Sequence, residues 1–109
     1  MLNGIYSIQF SSSTTRDSGT GTAVFVNDKV YGGDQSYYYK GPVQIEGDNL
    51  SAQIRVIRHQ PGESIFGPLR EFTLQLSGNQ GGGTLDIQGN VVEHPNFTIR
   101  IRGRKVSEL

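Results

Sequence analysis

The chain contains no cysteine and no tryptophan, and only two histidines and four prolines among 109 residues. Without cysteine there is neither a disulfide nor a thiolate metal ligand, which excludes a small disulfide-stapled scaffold. No stretch approaches the roughly 18 apolar residues of a transmembrane helix, so no membrane partner is expected. Ten basic and ten acidic side chains leave a formal net charge of zero. A dedicated nucleic-acid-binding domain is usually strongly basic, so no direct nucleic-acid partner is expected. The missing tryptophan argues against a sugar site, where faces stack on large rings. Residues 1–7 lack the basic start and apolar block of a signal peptide, which makes a cytoplasmic location the expectation.

Catalytic groups are equally sparse. His59 and His94 each lie beside a proline-containing turn, outside any metal-ligand pattern such as HExxH, and no serine sits in a GxSxG elbow. The glycine clusters at 19–21 and 81–83 do not precede a helix, so they lack the N-terminal dipole of a phosphate loop. Asp34, Asp48 and Asp86 are separated by whole strands and read as turn formers, which bond their own backbone. For Asp34 the alternative is a buried partner for an arginine or a tyrosine hydroxyl. The expectation is a protein that is not an enzyme, with no catalytic residues, cofactor or metal.

What the chain does have is glycine and short alternating runs. Fifteen glycines are about 14 % of the residues, near twice the usual ~7 %, and they punctuate segments rich in Val, Ile, Thr, Tyr and Phe. Tyr6, Ile8 and Phe10 alternate with Ser7 and Gln9, the signature of a half-buried strand. A second strand covers 19–26. Asn27 and Asp28 supply a two-residue hairpin turn, and a third strand at 29–31 breaks at Gly32 and Gly33. The fourth runs from Tyr37 to Ile45, with Pro42 suited to an edge or a bulge. After a turn at 46–49 comes the clearest strand, Leu50 to Val56. The loop 60–68 carries Ile65 and Phe66, with a short helical turn conceivable at 64–66. A strand from Phe72 to Leu76, a glycine-rich turn at 77–83 and strands around Leu85–Ile87 and Phe97–Ile101 complete the chain.

No segment shows a convincing helical period. Eight short strands joined mostly by turns predict an all-β, single-domain fold over residues 1–109: a small antiparallel up-and-down barrel with little or no helix. Closure hides the sheet edges; a two-sheet sandwich is the alternative. Such a barrel is filled by side chains or holds one small ligand. Large residues at Tyr6, Ile8, Ile54, Val56, Phe72 and Leu74 predict a mostly filled interior.

Two patterns mark contact surfaces. Tyr37, Tyr38 and Tyr39 stand in a row, with 37 and 39 on one face and 38 on the other. Tyrosine is enriched at protein interfaces, so these three are candidate partner-binding residues. Arg100, Arg102 and Arg104 lie opposite Phe97, Ile99 and Ile101 and, with Lys105, form a basic stripe. Its readings are a solvated face balanced by neighbouring acids, or a site for an acidic partner.

Gly4-Ile-Tyr-Ser-Ile8, Gly19-x-Gly21, Gly32-Gly-Asp34 and Tyr39-Lys-Gly41 occur in an order and spacing that resemble the GrlR-type negative regulators of bacterial type III secretion. The match covers about the first half of the chain. It implies a lipocalin-like (calycin) barrel, a homodimer, and action through contacts with a protein partner such as a transcriptional activator. In that family an acidic surface run recognises the activator; the equivalent turn here carries two acids, Glu46 and Asp48. The other function consistent with the fold is a carrier of a lipid or other small hydrophobic ligand in the barrel interior.

Overall fold

A computed structural model describes residues 2–109. The chain forms eight strands: β1 (Gly4–Ser11), β2 (Ser18–Val26), β3 (Lys29–Gly33), β4 (Tyr37–Glu46), β5 (Asn49–Arg58), β6 (Glu71–Gly81), β7 (Thr84–Val91) and β8 (Thr98–Ser107). Each pairs antiparallel with its neighbour in sequence, and β8 returns to pair with β1, closing the barrel. Closure leaves no unpaired edge. Among the described residues there is no helix.

The alternation read from the sequence decides which side of each strand is inside. Tyr6 and Ile8 of β1, Leu50, Ala52, Ile54 and Val56 of β5, and Phe72, Leu74 and Leu76 of β6 are all buried. Their intervening neighbours are serines, threonines, glutamines and charged groups that face out. Along these three strands the outer face is therefore mainly polar over an apolar interior.

The two ends of the barrel differ. At one end, two-residue turns join β2 to β3, β4 to β5 and β6 to β7. Asn27 and Asp28 both take positive φ, 53° and 61°, as a type I′ hairpin requires. Gly47 (φ 61°) opens the second turn, and Gly82 and Gly83 (61° and 80°) form the third. The opposite end carries the longer connections, including the twelve-residue span 59–70 between β5 and β6.

Four expectations need correction. Residues 77–81 are not a turn: they pair in register with residues 84–88 of β7, leaving only Gly82 and Gly83 outside the ladder. Gly32 and Gly33 do not break β3; they pair with β2 and β4. Gly32 is needed for closeness, since a Cβ there would lie 2.2 Å from the Thr22 carbonyl oxygen. Pro42 is neither at an edge nor on a bulge. It sits opposite Lys29, the first residue of β3, where Gly41 and Pro42 are skipped in an otherwise continuous ladder with β5. Residues 64–66 form no helix, because Ser64 and Gly67 exchange two backbone hydrogen bonds of 3.0 Å around a tight turn.

Candidate functional site

The interior is only partly filled. The six large residues expected to fill it are buried, yet a cavity of about 490 Å³ remains, opening at the long-loop end. That volume falls within the usual range for small-molecule sites, roughly 300–1,000 Å³. Its deep walls are aliphatic, among them Val43, Leu50, Ile54, Leu74 and Ile87, while its rim includes Asp17, Asp34, Ser36 and Glu63. The void survives partly because β2 presents glycine inward. A Cβ on Gly21 would meet the Tyr39 hydroxyl at 2.7 Å and the Gly33 carbonyl at 3.0 Å, so glycine there leaves room for that ring.

The rim is organised by the stretch 34–39. Asp34 Oδ1 accepts hydrogen bonds from the backbone N–H groups of Ser36 (3.0 Å) and Tyr37 (2.9 Å), which shapes the β3–β4 connection. Its Oδ2 accepts the hydroxyl of Tyr39 in a short hydrogen bond. Both readings of Asp34 therefore hold at once: it forms the turn and it partners a tyrosine. Burial, reinforced by the hydrogen bond and the charge of Asp34, pushes the Tyr39 phenol well above its ordinary range. Tyr39 is thus a neutral, fixed donor at the inner edge of the mouth.

Two apolar residues form a plug at one side of the mouth. Ile65 and Phe66, at the tip of the β5–β6 loop, are buried against the core. Phe66 stacks on Phe97 (centroids 5.4 Å, planes 8° apart) and meets Phe72 edge-on at 5.6 Å. Polar straps hold the loop on both flanks. The Thr15 hydroxyl donates to the Ile65 carbonyl at 2.7 Å. His59 N–H donates to the Ser36 carbonyl at 2.8 Å, the Gln60 amide bonds the Gln35 carbonyl, and the Tyr37 hydroxyl donates to the Leu69 carbonyl. Sequence reasoning noted the two apolar residues but not this role. Their signal was two adjacent large apolar side chains in an otherwise polar loop.

The residues singled out in the sequence are not brought together. Tyr37 is 2 % exposed and belongs to the core, because strand alternation turns it inward; it offers no surface to a docking protein. Tyr39 is half-buried at the mouth, and Tyr38 alone of the three is exposed outside. It neighbours Ile57 on β5, and its diagonal neighbour Tyr31 pairs with Val24, itself opposite Ile5. Glu46 and Asp48 are exposed at the tight-turn end, remote from the mouth. Arg100, Arg102 and Arg104 run along the outer face of β8.

Two of the three arginines of that stripe share one carboxylate. Arg100 grips Asp86 with two hydrogen bonds of 3.0 and 2.8 Å, and Arg102 lies 4.0 Å from the same carboxylate. The hydrogen bond to Arg100 holds Asp86 below the usual carboxylate range. Lys105 does not join the stripe. It is paired with inward-facing Tyr6, so alternation puts it on the other face, where it meets Glu108 at 2.9 Å.

A second polar cluster ties the β7–β8 loop to the barrel wall. Arg55 reaches Thr73 (2.9 Å), Glu93 (3.2 Å) and Glu71 (3.1 Å). Partial burial pushes Glu93 up, but bonds from the backbone N–H and hydroxyl of Thr73, its own backbone and the charge of Arg55 bring it below its ordinary value. His59 Nε2 lies 3.3 Å from the backbone carbonyl of Asp34, not its carboxylate, so no His–Asp catalytic pair is formed there. No known family model matches the chain, and no curated protein matches it significantly.

Proposed function

We propose that this protein is a non-enzymatic binding module that takes a small hydrophobic or amphipathic molecule into its barrel. The observation that carries this reading is the cavity of about 490 Å³, aliphatic at depth and polar at its rim. Burial of ligand methylenes supplies affinity of roughly 0.8 kcal/mol each, and the rim groups orient the head. Ile65 and Phe66 act as the gate, since both are buried beside the mouth and line the cavity. Native mass spectrometry of the purified protein, with and without added decanol, tests the reading. A saturable one-to-one adduct supports it; no adduct at concentrations well above micromolar sinks it.

A second reading follows the resemblance to GrlR-type regulators: a cytoplasmic, dimeric barrel that meets an activator through its surface. What favours it is the exterior row of Ile5, Val24, Tyr31, Tyr38 and Ile57, in which Tyr31 is 45 % and Tyr38 38 % exposed. A second copy of this chain is the occupant that fits, since zero net charge removes self-repulsion. Light scattering after size exclusion checks this: a dimer converted to monomer by Tyr38→Glu supports it, and a monomer at high micromolar concentration counts against it.

A further inference from the structure

We infer that the cavity discriminates by head-group charge, favouring amphiphiles with an amine or other cationic hydrogen-bond donor over those with an acidic head. This rests on the carrier reading above. The carboxylates of Asp17, Asp34 and Glu63 belong to the residues around the cavity, and no lysine, arginine or histidine does among those described. None of the described basic groups at this end lines the cavity. Arg58 reaches the Gly62 carbonyl at 3.4 Å, His59 is turned to the Asp34 carbonyl, and Arg16 and Arg70 are exposed in the loops. An anionic head held at this rim would face like charges with no basic side chain among the described lining residues, whereas a cationic head would find the Asp34 carboxylate already fixed in place.

Asp34 is the strongest acceptor on geometric grounds. Two backbone N–H groups and one hydroxyl lock its orientation, and Oδ2, which accepts only the Tyr39 hydroxyl, keeps acceptor capacity to spare. Tyr39, held neutral, cannot add charge and keeps its ring along the path to the aliphatic walls. Hydrogen bonds to an ionised partner are roughly twice as strong as neutral ones, so an ammonium head gains most from this arrangement. The balance of the whole chain does not favour either sign, with ten charges of each; the selectivity is local to the rim.

The test compares decylamine, decanol and decanoate, which share one chain and differ in head, by isothermal titration at neutral pH below their micellar concentrations. Decylamine should bind about tenfold or more tighter than decanoate, with decanol between them and the gap narrowing as salt is added. Asp34→Asn keeps the acceptor for Ser36 and Tyr37 and should shrink the amine preference severalfold. Glu63→Gln, at an exposed side chain with no hydrogen-bond partner among the described residues, should shrink it less and serves where Asp34→Asn does not fold. Decanoate binding as well as decylamine, or a preference unchanged in the folded variants, overturns the inference while leaving the carrier reading intact. Saturable binding by none of the three overturns both.

Discussion

Replacing Phe66 by alanine is the sharpest perturbation of the gate. The ring is 6 % exposed and contacts Phe97 and Phe72 at the distances of favourable aromatic pairs. Deleting a buried phenylalanine side chain costs about 3–5 kcal/mol in a closed core, of which each aromatic pair contributes about 0.5–1.5 kcal/mol. Here the site borders the mouth, so water and the neighbouring loops can relax into the space, and the lower end, about 3 kcal/mol, is the expected loss. For a domain of this size that corresponds to a fall in Tm of roughly 10–20 °C. Urea denaturation measures it, and the slope of the transition should stay unchanged because the same surface is exposed on unfolding. Stopped-flow association of a fluorescent amphiphile should quicken in the same variant, since the gate is gone. A stability loss under about 1 kcal/mol, the range of ordinary surface changes, would show that Phe66 is not seated in the barrel, and the gate would go with it.

Other expectations follow from single residues. Because the Tyr39 phenol ionises higher in the folded chain than its unfolded value near 10, its contribution to stability is complete below about pH 10 and is lost as pH rises toward the folded value. Tyr39→Phe should therefore flatten the alkaline fall in stability followed by circular dichroism; an unchanged slope argues against the buried hydrogen bond to Asp34. For Asp86 the sign is opposite: its lowered value gives a contribution present above about pH 4 and lost as pH falls through the folded value. Carboxyl NMR titration should show Asp86 moving back up in Arg100→Ala, and no movement would remove the ion pair from the account. Asp28→Val, which forces a β-branched residue to φ 61°, should cost roughly 1–2 kcal/mol, whereas Asp28→Gly should be tolerated in the same thermal melt.

Much of the architecture was legible because strand alternation is a local rule. Tyr37, Tyr38 and Tyr39 fall inside, outside and inside as their order requires, and Asn27–Asp28 forms the hairpin its residue types allow. Glycine was the less readable signal. At 82 and 83 it makes a turn, while at 32 and 21 it serves close approach of a backbone or a ring, and sequence cannot say which neighbour will be near. The same limit hid the site. Ile65 and Phe66 become a plug only when β5 and β6 carry their loop across the barrel mouth, and the cavity is a difference between wall and filling that no single strand encodes. The tyrosine row illustrates both sides: one pattern yields a core residue, a rim donor that meets Asp34, and one exposed ring.

The most direct test of the account is where a ligand chain sits. In methyl-labelled protein saturated with decylamine or decanol, nuclear Overhauser contacts should link the ligand methylenes to Ile54, Leu74 and Ile87, whose side chains line the cavity. Contacts confined to Ile5, Val24 and Ile57 on the outer face, or no saturable contacts at all, would contradict a ligand-binding interior.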